Sequence, residues 1–153
     1  MNADDIAVAK TPPGGYGDEW PAPILAGCTE EIVAHGIDMR GTWRVVEATV
    51  DGVPVDDHRI LGSVQRIEQC GDRVVITAGG IIHDMHCDGS EANGVNDVAE
   101  FDKTTPITVV ATFEDGVHVL RPVGLPIEVR RWLDDDDLMW QYVGVTCRLT
   151  RLE

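Results

Sequence analysis

Ile107-Thr108-Val109-Val110-Ala111-Thr112-Phe113 alternates side chains between two faces, and after Asp115-Gly116 the run 117–121 begins. A period of two, with β-branched residues dominating, reads as a strand with one face buried. Asp-Gly between two such runs reads as a tight hairpin turn. Comparable runs occupy 43–50, 60–69, 73–78, 81–87, 95–101, 127–133, 138–143 and 145–152. Between them stand Asp51-Gly52, Gly71-Asp72, Gly79-Gly80, Asn93-Gly94 and four aspartates at 134–137, all turn formers. No helical pattern is long enough for a crossover between parallel strands, so the reading is all-β and antiparallel. A sandwich fits this pattern too. Closure into an up-and-down barrel removes exposed strand edges, and about eight to ten strands leave an interior that suits one small ligand.

The first 26 residues differ. Pro12-Pro13-Gly14-Gly15 and Pro21-Ala22-Pro23 exclude helix and central strand, so this arm is either mobile or laid across the barrel domain, 27–153. Tyr16 and Trp20 favour docking. Residues 29–36 predict one short helix, with Thr29 as its cap, Glu30 and Glu31 at its positive end and Gly36 as its stop.

The chain has 153 residues, and 12 lysines and arginines against 27 aspartates and glutamates give a formal charge of −15. That length suits one domain with a core of its own. Such a surface repels phosphate backbones and anionic headgroups, which argues against nucleic acid and membranes as partners. The start Met1-Asn2-Ala3-Asp4-Asp5 lacks the basic and apolar regions of a signal peptide, and no stretch nears the ~20 apolar residues of a membrane helix. A cytoplasmic setting is therefore expected. Cys28, Cys70, Cys87 and Cys147 form no CxxC pair, so they are expected to be buried or idle thiols.

Gly41-Thr42-Trp43 on the first strand, with Arg148 or Arg151 on the last, resembles the calycin barrels, that is, the lipocalins and fatty-acid-binding proteins. The resemblance implies an indole across the barrel floor covered by the arginine, a short helical turn closing one end, and a pocket for a small, mostly apolar molecule. Haem-binding barrels carry Gly-x-Trp-x-Gly-x-Gly, whereas Arg44-Val45-Val46-Glu47 follows here, and no cofactor is expected. Fatty-acid-binding proteins hold a carboxylate with interior arginines and a tyrosine near the C-terminus. Tyr142 and Arg148 are similar in outline, without the family's Arg-x-Tyr spacing.

Strand parity orders the candidate site residues. If Trp43 points inward, then Val45, Glu47 and Thr49 follow it, and Glu47 becomes an interior carboxyl suited to proton transfer. A bulge would instead turn Glu47 outward. His83 and His86 lie three apart on a strand and face opposite sides, so no shared metal is expected. Asp84 and His86 share one face and can act as an acid–base pair. On the other parity, His83 stands inward beside Ile81, Met85 and Cys87. Trp43, Phe113, Trp132 and Tyr142 are candidate pocket walls, while Arg121, Arg130 and Arg148 either hold an anion or pair with aspartates outside. Arg131 shares the other face of its strand with Ile127, Val129 and Leu133. The aspartates at 134–137 lack the glycine and distal glutamate of a calcium loop. The polar loop 88–94 can gate a barrel mouth. Phosphate-loop, serine-elbow and HExxH patterns are missing.

Two functions fit. In the first, the barrel binds a small hydrophobic molecule, a lipid, terpenoid, steroid or aromatic acid, by burying its apolar surface. In the second, it is a cofactor-free isomerase, cyclase or dehydratase, in which an interior histidine moves a proton and Glu47 or an arginine stabilises charge. Apolar strand faces left exposed would permit a homodimer.

Overall fold

The computed structural model describes residues 1–152. Its strands are β1 (Gly41–Val50), β2 (Val53–Val55), β3 (Val64–Cys70), β4 (Arg73–Ala78), β5 (Ile81–His86), β6 (Val95–Val98), β7 (Pro106–Glu114), β8 (Val117–Pro122), β9 (Val129–Asp134), β10 (Asp137–Tyr142) and β11 (Val145–Arg151). All belong to one antiparallel sheet of order β5-β4-β3-β1-β11-β10-β9-β8-β7-β6, with β2 added on β1. Apart from β2 and the β5–β6 junction, sequence neighbours pair, and β1 with β11 joins the two ends of the strand run.

The turns follow from their residues. Asp51-Gly52 and Asp115-Gly116 take φ of 51° and 80°, and of 50° and 81°. Two successive positive φ values match the right-handed twist of the flanking strands, which is why Asp-Gly stands at both hairpin tips.

The sheet curls until its margins meet. Between β5 and β6 there is no ladder. The seam is crossed by the His86 amide, which donates to the Asn93 carbonyl at 2.8 Å. His83 Nε2 lies 2.9 Å from the Val98 carbonyl, a second link across it. Inside, Val45, Ile67, Val74, Met85, Val109, Ala111, Leu138 and Leu149 form the main core.

The arm lies on the outer face of β3, β4 and β5, where Ala3 and Leu25 pack on Cys70, Val75 and Ile82. Buried polar groups fix it. Arg73 and Asp84, both without exposed side-chain area, pair at 2.5 Å. Arg73 also donates to the Ala3 carbonyl at 2.8 Å and the Ile6 carbonyl at 2.5 Å, while the Ala9 amide donates to Asp84 at 2.9 Å. Glu68 accepts from the Leu25 amide at 2.8 Å. The arm then crosses the seam: Lys10 donates to the Asn96 carbonyl at 2.7 Å, the Thr11 amide to Asp97 at 2.9 Å, and the Ile82 amide to the Thr11 hydroxyl at 2.9 Å.

Two sequence expectations fail here. Residues 29–36 form no helix; the short 3-10 turn at Ala3–Asp5 is the helical element of the described residues. The groups meant to build that helix are spent elsewhere. Glu30 accepts from the Ala3 amide at 2.8 Å, the Val33 amide donates to the Gly71 carbonyl at 2.9 Å, and the Thr29 hydroxyl bonds the Met1 amine at 3.0 Å. Nor are all four cysteines idle. Cys28 and Cys70 form a disulfide with Cα atoms 5.9 Å apart, which staples the arm to β3; Cys87 and Cys147 are free and buried. Disulfides of this kind persist where the surroundings are oxidising.

Candidate functional site

The inner wall carries one row of side chains fixed by strand register. Phe113 of β7 stands opposite His118 of β8, His118 opposite Arg131 of β9, Arg131 opposite Trp140 of β10, and Trp140 opposite Cys147 of β11. Residues directly opposite on neighbouring strands share a face and touch. Phe113, Trp140 and Cys147 belong to the main core, so the row faces inward.

Two of its members are polar and buried, His118 at 0% and Arg131 at 4% exposure. Arg131 donates from Nε to Gln65 of β3 across the barrel at 3.2 Å. Its guanidinium carbon sits 5.2 Å from the Trp140 ring centre, a cation–π contact. Beyond these the row is unsatisfied. Arg131 Nη1, both ring nitrogens of His118 and Trp140 Nε1 are buried without a hydrogen-bond partner. Among the described residues no carboxylate pairs with Arg131 at salt-bridge distance. Burial pulls Arg131 down to about 10, which still leaves it charged at neutral pH. Burial, with Arg131 adding to it, pushes His118 down to about 3 and keeps it neutral.

Next to the row, at the Trp43 end, a cleft of about 500 Å³ opens to solvent, lined by Val33, His35, Asp72, Cys87, Phe113 and Glu114 among others. Phe113 forms part of the lining and sits 5.4 Å, ring to ring, from His118 on its inner side. One aromatic ring thus separates open solvent from the unsatisfied row.

The residues singled out from sequence fall mostly elsewhere. Trp43 is fully buried, donates to the Met39 carbonyl at 2.9 Å and lies under Arg151, so it closes the barrel end. Gly41 suits the position because its φ of +142° is one that L side chains rarely adopt, and a Cβ there would also displace Arg151 Nη1. Glu47 is not an interior carboxyl. The β1–β11 register shifts between Val45 and Glu47, and this bulge turns Glu47 outward, 71% exposed and 3.7 Å from Arg148. Arg148 is likewise outside, held by Asp134 at 2.7 Å and Asp137 at 3.0 Å. Arg121 pairs with Glu114 at 2.5 Å and Glu128 at 2.7 Å, and Arg130 with Glu128 at 3.2 Å, also on the outer face. Trp132 shares that face, opposite Met139, which itself stands opposite Arg148. Tyr142 is exposed at the far rim, 5.6 Å from Trp140.

Nor do Asp84 and His86 form an acid–base pair. Asp84 belongs to Arg73, and His86 lies 2.7 Å from Asp72. His83 faces inward with Met85, but its ring is committed to the seam; burial lowers its pKa. Among the described residues no cluster of three or more His, Cys, Asp or Glu side chains could hold a metal ion. His118 and Gln65 went unnoticed in the sequence. The available signal was Arg131 itself, a charge on the face of Val129 and Leu133.

Neither a protein-family model nor a curated protein matches the sequence. Among solved structures, human cRBP IV aligns over 75% of this chain and 98% of its own, with a TM-score of 0.59 at 14% identity. The chain has a calycin-like barrel fold. In this barrel, Gly41, Trp43 and Arg151 close one end, while His118, Arg131 and Trp140 form the polar part of the interior. No helix among its described residues is long and apolar enough to cross a membrane.

Proposed function

We propose that the barrel binds one small hydrophobic molecule in its interior, with an acidic head group on Arg131. The supporting observation is the buried Nη1 of Arg131, which has no acceptor. An interior cation that feels the Glu100 carboxylate without touching it is costly, and a ligand carboxylate supplies a direct charge partner with a charge-assisted hydrogen bond. Trp140 Nε1 offers a second donor nearby. Apolar neighbours such as Phe113, Leu120, Val129 and Leu138 would take the ligand body by area burial, at roughly 25 cal/mol per Å². The interior is filled by side chains, so the ligand displaces some of them, and Phe113 is the ring nearest the open cleft. The acid–base pair that an enzyme would require is not assembled from Glu47, Asp84 and His86.

Isothermal titration with dodecanoate tests this reading. One molecule per chain is expected, with affinity falling at least ~tenfold in Arg131→Met, a loss of about 1.4 kcal/mol. Absence of dodecanoate binding, or equal binding by the variant, overturns it.

A further inference from the structure

We infer that the ligand carries a hydroxyl within a few carbons of its acid group, and that His118 selects for it. This rests on the reading of Arg131 as the acid-binding residue. His118 is the second unsatisfied polar group of the row, with no exposed area and neither ring nitrogen partnered. Its ring lies 5.4 Å from that of Phe113, and strand register sets Arg131 opposite it on the next strand.

The chemistry of that vacancy is specific. A neutral imidazole presents one N–H donor and one bare lone pair, and the burial of His118 beside a cation holds it neutral. A carboxylate only accepts and can serve the N–H alone. An ammonium only donates, and Arg131 next to it repels it. A hydroxyl both donates and accepts, so it pairs with whichever ring nitrogen faces it, in either tautomer. An alkyl chain over His118 leaves both nitrogens unpaired, and sites built around a buried polar group reject ligands that lack its partner.

Geometry sets where the hydroxyl lies. His118 and Arg131 are opposite residues on adjacent strands, whose backbones run about 4.8 Å apart. His118 being the immediate neighbour of Arg131 in the row, the hydroxyl belongs near the acid end of the ligand, which a 3-hydroxy acid allows and a hydroxyl at the far end of the chain does not. The ligand class is a medium-chain 3-hydroxy acid.

The experiment compares dodecanoate with 3-hydroxydodecanoate by titration against the full chain and three variants. The unaltered protein is expected to bind the hydroxy acid at least ~tenfold tighter. His118→Phe is expected to remove that preference while keeping dodecanoate binding, and His118→Gln, which retains a donor and an acceptor, to keep part of it. Arg131→Met weakens both acids together. Equal affinity of the unaltered protein for the two acids, with dodecanoate still dependent on Arg131, overturns this inference and leaves the acid-binding reading standing. A preference that survives in His118→Phe also overturns it. Failure of both acids to bind removes the two readings at once.

Discussion

The Arg151 guanidinium lies 4.3 Å from the centre of the Trp43 indole and donates to the Arg40 carbonyl, so the end of β11 closes over the start of β1. Trp43 is fully buried among core side chains, and Trp43→Ala removes a large ring from a packed site. A loss of about 3–5 kcal/mol is expected in urea unfolding. Arg151→Met keeps the stem and is expected to cost only ~1 kcal/mol, the size of a cation–π contact.

Arg73 and Asp84 pair without exposed area and fasten the arm from inside. Arg73→Met leaves a buried carboxylate without its cation, and a loss of about 3–5 kcal/mol follows. Limited trypsin or thermolysin digestion should then cut within the first 26 residues well before the barrel. An arm that stays protected would show that the pair does not hold it.

The Cys28–Cys70 bond closes a 42-residue separation between arm and sheet. Cys28→Ser with Cys70→Ser, or reduction by dithiothreitol, is expected to lower stability by about 2–4 kcal/mol. Differential scanning calorimetry with and without reductant reads the change.

Acid sensitivity should trace to His118. Its folded pKa of about 3 lies below the ordinary histidine value, so between the two the unfolded chain binds the extra proton. Stability therefore rises with pH through that window and is lost as pH falls from ~6.5 toward ~3, with a slope up to about 1.4 kcal/mol per pH unit. His118→Phe should flatten this part of the curve, measured by urea melts at stepped pH. His83, also lowered by burial, contributes in the same direction and should remain in the variant.

Cys87 is buried in the wall of the cleft, and burial pushes its thiol well above the ordinary range. In a Cys147→Ala background it should resist iodoacetamide at pH 8. Phe113→Ala takes away a ring lining the same cleft, and alkylation of Cys87 is expected to quicken at least ~tenfold, since thiolate access governs the rate. An unchanged rate would mean that Phe113 does not guard the interior.

The barrel was legible because alternation and turn chemistry agree. Val109, Ala111 and Phe113 lie in the core as the period of two requires, and Asp115-Gly116 adopts the conformation its residues favour. The segment 29–36 misled because Thr29 and Glu30 are claimed by tertiary partners, the Met1 amine and the Ala3 amide, which no local pattern contains. For Glu47 the outward alternative holds, because one bulge inverts parity for the rest of β1, and alternation alone does not locate a bulge. The site was hidden for a related reason. Arginines at 121, 130 and 148 are conspicuous yet satisfied by nearby carboxylates, whereas Arg131 and His118 matter through partners they lack, which only packing reveals.

The pairing of β1 with β11 also bears on biosynthesis. During translation β1 emerges early, yet one whole side of it has no neighbour until residue 151 has left the ribosome. Through that interval its unpaired edge, with Val46 exposed even in the finished barrel, invites association with other nascent chains. Closure between the strands most distant in sequence is also a slow step. A permuted gene that begins at β6, on the unladdered seam, and joins the old ends through a short linker would deliver β1 as the next strand after β11 without parting a paired ladder elsewhere, and should give a higher soluble yield from the same expression.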